Sequence, residues 1–167
     1  MKETIIVYGS TTGNCESVAN RIADALGVAS ASVVRASELT PGLINENSNL
    51  ILGSSTWGSG DLQDEWYDAI DVIKSSDLSG KTVAVFGCGD SSGFSTTFCD
   101  AMFAIYEAAK AAGAHMVGAT STDGYTFDES VSVVDGKFVG LAIDEDNESD
   151  KTDERIAAWV EAIKPEL

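Results

Sequence analysis

Ile5-Ile6-Val7-Tyr8-Gly9-Ser10-Thr11-Thr12-Gly13-Asn14-Cys15 is the stretch on which the fold turns. Its first four residues are an apolar, largely β-branched run of the kind that forms a buried strand. Beyond it, Val18, Ile22, Ala25 and Leu26 recur at helical spacing, so an amphipathic helix opens near Glu16. The segment between is therefore a strand-to-helix turn. It offers hydroxyls from Ser10, Thr11 and Thr12, the Asn14 amide, and backbone N–H groups at the positive end of a helix dipole. Gly9 and Gly13 remove Cβ atoms that hinder tight turning and close approach. The arrangement suits a phosphate. No Lys accompanies Gly9 and Gly13, so this is not an NTPase loop, and the Gly-x-Gly-x-x-Gly of a dinucleotide site is missing. A single terminal phosphate remains as the ligand; the alternative is a Ser/Thr-rich helix cap that binds nothing.

Outward from this turn, strands and helices alternate. Ala31–Val34 reads as a second strand, with Pro41-Gly42 and Asn45–Ser48 in a connection. Leu50–Leu52 reads as a third strand ending at Gly53-Ser54-Ser55, followed by a helix with Trp66, Ile70 and Ile73 on one face. Thr82–Phe86 reads as a fourth strand, and the next helix carries Phe98, Met102, Ile105 and Ala109. His115–Ala119 starts a fifth strand. A last helix, with Thr152 as N-cap, repeats Ile156, Trp159, Val160 and Ile163 at i, i+3, i+4, i+7. Near-continuous apolar strands between helices imply an α/β domain, a doubly wound five-stranded parallel sheet with helices on both faces. Residues 1–167 form one domain. Ligands of such folds sit beyond the carboxyl ends of the strands, so the loops after strands one, three and four should meet.

Those loops are Gly-rich and polar, and the second and third each carry one aromatic residue: Trp57 within Ser54–Asp61 and Phe94 within Gly87–Phe94. Two rings over a shared cleft can sandwich a flat heteroaromatic ligand, although either could instead pack on the domain. With a one-phosphate cradle beside them, the simplest ligand is a ring on a short phosphorylated chain.

The net charge of −17 argues against nucleic acid, which requires Lys/Arg stripes, and points to steering of a basic protein partner. No apolar run reaches the ~20 residues of a membrane span, and no basic-then-apolar leader opens the chain. Cys15, Cys88 and Cys99 cannot all pair and lack metal-ligand spacing, and His115 stands alone, so the expected setting is a reducing cytoplasm with no metal. Of the three thiols, Cys15 at a helix N-terminus occupies the position most favourable to redox chemistry.

Four motifs in order make the chain similar to the flavodoxins, small FMN electron carriers. The family's phosphate loop is matched by Ser10-Thr11-Thr12-Gly13-Asn14-Cys15, its Thr-Trp loop by Thr56-Trp57-Gly58, and its Gly-Cys-Gly-Asp loop by Gly87-Cys88-Gly89-Asp90. Residues 124–127 through 138–146 resemble the insertion of the long-chain subclass, which interrupts the fifth strand. The resemblance implies that Ser10 to Asn14 hold the FMN phosphate and that Trp57 and Phe94 flank the ring. Backbone of Gly58, Gly89 and Asp90 would meet its polar edge, and Cys15, Thr56, Gly60, Cys88 and Cys99 complete the implied set. Two departures stand out. Phe94 replaces the usual Tyr, and Cys15 replaces a hydroxyl with a weaker donor, at a cost of about 1 kcal/mol.

The implied function is a low-potential one-electron carrier using non-covalent FMN, a monomer serving an NADP-linked flavodoxin/ferredoxin reductase and low-potential acceptor enzymes. A Gly58 carbonyl able to turn toward the reduced ring belongs to that expectation, as does an acidic shell with no charge near the ring itself. The alternative is a small FMN-dependent two-electron reductase, though no proton donor stands out. A phosphoacceptor signalling domain fails because strands one and three end at Gly9 and Ser54 rather than at Asp. The segment Asp144–Glu154 carries seven carboxylates and one Lys, a candidate docking surface or simply a solvated one.

Overall fold

The computed structural model describes residues 2–57 and 59–167. The chain runs β1 (Thr4–Gly9), α1 (Asn14–Leu26), β2 (Val33–Arg35), α2 (Pro41–Glu46), β3 (Asn49–Trp57), β4 (Asp61–Leu62) and α3 (Trp66–Lys74). It continues through β5 (Thr82–Cys88), α4 (Asp100–Ala111), β6 (His115–Val117), β7 (Thr120–Ser121), β8 (Val133–Val134) and β9 (Lys137–Phe138). It closes with β10 (Leu141–Ile143), α5 (Glu145–Glu148) and α6 (Thr152–Ile163).

The main sheet follows the order β10-β5-β3-β1-β2, and its main-path pairs are parallel. β6 pairs with Thr82–Ala84 of β5, and β10 pairs with Phe86–Cys88 of the same strand. The two segments thus occupy one position in the sheet, and the fifth strand is interrupted as the sequence suggests. The interruption folds as a small antiparallel sheet, β7-β9-β8. It rests on an aromatic cluster in which Phe98 stacks on Phe127 at 5.4 Å and Tyr125 meets Phe138 edge-on at 4.9 Å.

Period-two alternation builds two cores from one sheet. Ile5, Val7, Leu50, Leu52, Val83 and Val85 face α3 and α4. Ile6, Tyr8, Ile51, Ala84 and Phe86 face α1 and α6. Because both faces are covered, the central stretches Ile5–Val7, Leu50–Leu52 and Val83–Phe86 are apolar at successive positions, and each fully buried Ile or Leu contributes about 1.5–3 kcal/mol.

Several boundaries differ from the sequence reading. Residues 41–46 form a helix rather than a bare connection: Thr40 caps it by accepting from Leu43 N at 3.2 Å, and Pro41 sits in the first turn, where its missing N–H costs nothing. β2 starts at Val33, after a 3₁₀ turn over Ser30–Ser32. β3 extends through the polar Ser54–Trp57 because Ser54 and Ser55 pair with Gly87 and Cys88 and Thr56 pairs with Leu62. Phe98 precedes α4 and serves the aromatic cluster. Thr152 is the first residue of α6 rather than its cap, and its buried Oγ1 has no partner among the described residues.

Candidate functional site

The loops after β1, β3 and β5 meet at the carboxyl edge of the sheet. Between them lies a cleft of about 350 Å³. Thr12 and Asn14 come from the first loop, Ser55 to Trp57 from the second, Cys88 to Asp90 and Phe94 from the third, and Asp146 from α5. A larger depression of about 540 Å³ between α3 and α4 shares no residue with it and is lined by Ile70, Ala104, Ala108 and Ala111 among others.

The first loop is built around Gly13, whose φ of +96° only glycine adopts freely and which ends the turn as the N-cap of α1. Among the described residues no side chain caps this helix, so the amides of its first turn face the loop. Ser10 is buried and its Oγ accepts from Gly13 N at 3.1 Å, fixing the turn. Thr11 and Thr12 are exposed, and Thr11 Oγ1 accepts from Gln63 Nε2 at 3.2 Å.

The second loop holds Trp57 40 % exposed, with its indole N–H donating to Ser55 Oγ at 2.8 Å. Thr56 Oγ1 accepts from Ala101 N, tying this loop to the first turn of α4. Gly60 has φ +99°, and a side chain there would meet Asp100 at 2.9 Å. The Gly58 expectation lies outside the described residues.

In the third loop Phe94 is 51 % exposed and lines the same cleft as Trp57. Two large aromatic rings thus stand exposed beside one cleft, as at a surface that receives a ligand. Asp90 accepts from the N–H groups of Ser92 and Gly93 and from Asn147 Nδ2. The Gly93 amide and then the Asn147 amide hold its carboxyl below the usual range. Desolvation, and then the charges of Asp90, Asp144 and Glu145, push Asp146 up. Asp144 is wholly buried and accepts from Ser91 N and Oγ and from Asn147, pinning the third loop to α5.

Two sequence candidates lie behind the cleft walls. Cys15 is fully buried with Sγ 3.0 Å from Cys88 Sγ, so its thiol points under the first loop rather than into the cradle. Cys99 is fully buried behind Gly89, where an added Cβ would come within 2.8 Å of Cys99 N. Its backbone takes φ 53° as the N-cap of α4. Three residues that belong to this region were not singled out from the sequence: Ser55, Gln63 and Asp146. Asp146 stood in an acidic run and Gln63 in a stretch without a motif.

The acidic segment is also less free than it reads. Glu145 and Asp153 pair with Arg21, and Glu148 binds Lys151 and Arg155. With Asp144 buried, Asp146, Asp150 and Glu154 are the carboxylates of this segment outside such pairs among the described residues.

Residues 6–159 match the family model described as Flavodoxin. A flavodoxin of Helicobacter pylori is 45 % identical over 159 residues, covering 95 % of this chain and 94 % of the relative. A flavodoxin of Nostoc is 42 % identical over 168 residues, covering 99 % and 98 %. Among solved structures, Fusobacterium nucleatum flavodoxin bound to flavin mononucleotide superposes with a TM-score of 0.91 at 30 % identity, covering 100 % of this chain and 99 % of that one. With matches that run nearly end to end, over a sheet whose three loops converge at one edge, the chain belongs to the flavodoxin family.

Proposed function

We propose that the cleft holds FMN non-covalently and that the protein is a low-potential electron carrier rather than an enzyme. One observation carries this reading: two exposed aromatic rings on separate loops line one cleft, one end of which is a loop of hydroxyls and helix N-terminal amides without a charged side chain. The residues fit the group. Ser10 to Asn14 supply donors for a phosphate, with Gly13 leaving open space where a side chain would stand. Trp57 and Phe94 bracket a planar ring, and the backbone of Gly89 and Asp90 supplies polar contacts at its edge.

When bound, FMN supplies one-electron redox chemistry. The protein's part is to bind, exclude water and set the local charge. Asp90 and Asp146 line the cleft, and no Lys or Arg lines it among the described residues. Added negative charge on a bound ring is therefore opposed, which suits a carrier of low potential.

Redox partner proteins accompany this family. For this chain we favour basic partners, an NADP-linked reductase and low-potential acceptors, because a net charge of −17 steers such proteins and repels acidic ones. Transfer rates that fall as salt rises support this; rates indifferent to salt contradict it. Among the described residues no helix is long and apolar enough to cross a membrane, and the three free, buried thiols suit a reducing cytoplasm. The test of the ligand is a fluorescence titration, in which this chain quenches FMN and binds it more tightly than riboflavin. Equal affinity for both contradicts the phosphate cradle.

A further inference from the structure

Carrying an electron uses none of the thiols, yet two of them touch. Cys15 is in the first turn of α1 and Cys88 ends β5, on the core face covered by α1 and α6. Their Sγ atoms lie 3.0 Å apart in hydrogen-bonding contact. Cys15 is sealed from solvent, but Cys88 also lines the cleft, an opening by which a small molecule reaches the pair. The third thiol, Cys99, faces the Ile143 carbonyl instead.

We propose that Cys15 and Cys88 form a dithiol pair that closes to an intramolecular disulfide when hydrogen peroxide enters the flavin-free cleft, and that bound FMN shields it. Shielding rests on the proposed flavin site; pairing does not. Chemically, the Cys88 sulfur attacks one peroxide oxygen, the O–O bond breaks, and Cys88 sulfenic acid and a water molecule result. The Cys15 sulfur then attacks the Cys88 sulfur. The S–S bond forms, the S–O bond breaks, and hydroxide leaves as water with the Cys15 proton. Two thiols and one peroxide thus give one disulfide and two waters, the thiols losing the two electrons that the peroxide gains.

Position explains both the selectivity and the pace. The contact with Cys15, and then burial, keep the Cys88 thiol well above its ordinary range. The pair is therefore sluggish, responding to sustained oxidant rather than to a pulse. The bond closes a loop spanning 73 residues and ties the first turn of α1, which carries the phosphate loop, to the strand that carries the third loop. Long closures restrict the unfolded chain most, so the oxidised FMN-free protein should unfold at a higher temperature than the reduced one. The pair is a device that preserves an empty site until reduction and FMN return.

The experiment is thiol mapping of the full chain, FMN-free and FMN-loaded, after exposure to hydrogen peroxide, followed by denaturation in alkylating agent and mass spectrometry. The FMN-free chain is expected to lose about 2 Da, keep one alkylatable cysteine, Cys99, and yield a peptide pair joining residues 15 and 88. Cys15→Ala should abolish the bridge and leave Cys88 to oxidise further, while FMN slows bridging in the parent chain. Three alkylated cysteines after peroxide, or a bridge to Cys99 or to a second chain, overturns the pair. Bridging equally fast with FMN bound overturns the shielding. A chain that bridges but takes up no FMN sinks the flavin reading while the pair stands.

Discussion

Gln63 donates its Nε2–H to Thr11 Oγ1 across 3.2 Å, joining the segment after Trp57 to the proposed phosphate cradle. The amide is held at its other end, where Gln63 Oε1 accepts from Glu65 N at 2.8 Å, and its backbone N–H donates to Ser54 Oγ. Gln63→Ala should free the Thr11 side chain and weaken FMN binding about fivefold, on the order of 1 kcal/mol. Riboflavin, which has no phosphate, should bind the variant as it binds the parent. Comparative titration of both ligands checks this; parallel losses contradict it.

Trp57 and Phe94 are exposed, so truncating them should cost binding and not folding. Trp57→Ala and Phe94→Ala should each lower FMN affinity by at least about 1 kcal/mol, with Trp57 the larger because its ring is larger. The thermal midpoint of the FMN-free chain should stay within about 2 °C of the parent. Differential scanning calorimetry beside the titration separates the two effects.

Asp144 is the opposite case, a fully buried carboxylate whose acceptors serve Ser91 and Asn147. Asp144→Ala leaves those donors unpaired and should destabilise the protein by about 1–3 kcal/mol. Chemical denaturation measures it. A change below about 0.5 kcal/mol would show that the third loop does not depend on this anchor.

Acid stability should divide by the sign of each carboxyl's shift. Burial alone pushes Glu148 up, but the hydrogen bonds from Lys151 and Arg155 prevail and hold it below the usual range. A depressed folded value means that its stabilisation is present above the ordinary Glu value of about 4.3 and is lost as pH falls through the folded one. Glu148→Gln should therefore be less stable at pH 7, with the gap closing in acid. Asp146 is raised, so its contribution is present in acid and lost as pH rises. Asp146→Asn should gain stability relative to the parent at neutral pH. Denaturation midpoints across pH test both signs.

The parallel strands β1, β3 and β5 were legible because each contains an unbroken apolar run, and the three loops were legible because they end those runs. Thr40-Pro41-Gly42 shows where local reading fails: the same dipeptide that marks a turn also starts a helix when a Thr precedes it. The polar half of β3 was hidden because Ser54 and Ser55 owe their extended form to pairing with β5, a contact between residues distant in sequence. In the site, exposed aromatics and hydroxyls could be read from composition, whereas the direction of a thiol could not. Cys15 stands in the cradle motif, yet helix geometry turns it inward to Cys88. Gln63 was illegible for the same reason, since its role is a hydrogen bond to a residue 52 positions away.

The central claim is tested most directly by the visible absorption spectrum of the purified, FMN-loaded protein during stepwise anaerobic reduction. The account predicts a yellow protein that develops a distinct long-wavelength band as the first electron enters and loses it with the second. A yellow protein that bleaches in one two-electron step contradicts the carrier reading, and a colourless one that takes up no added FMN contradicts the site itself.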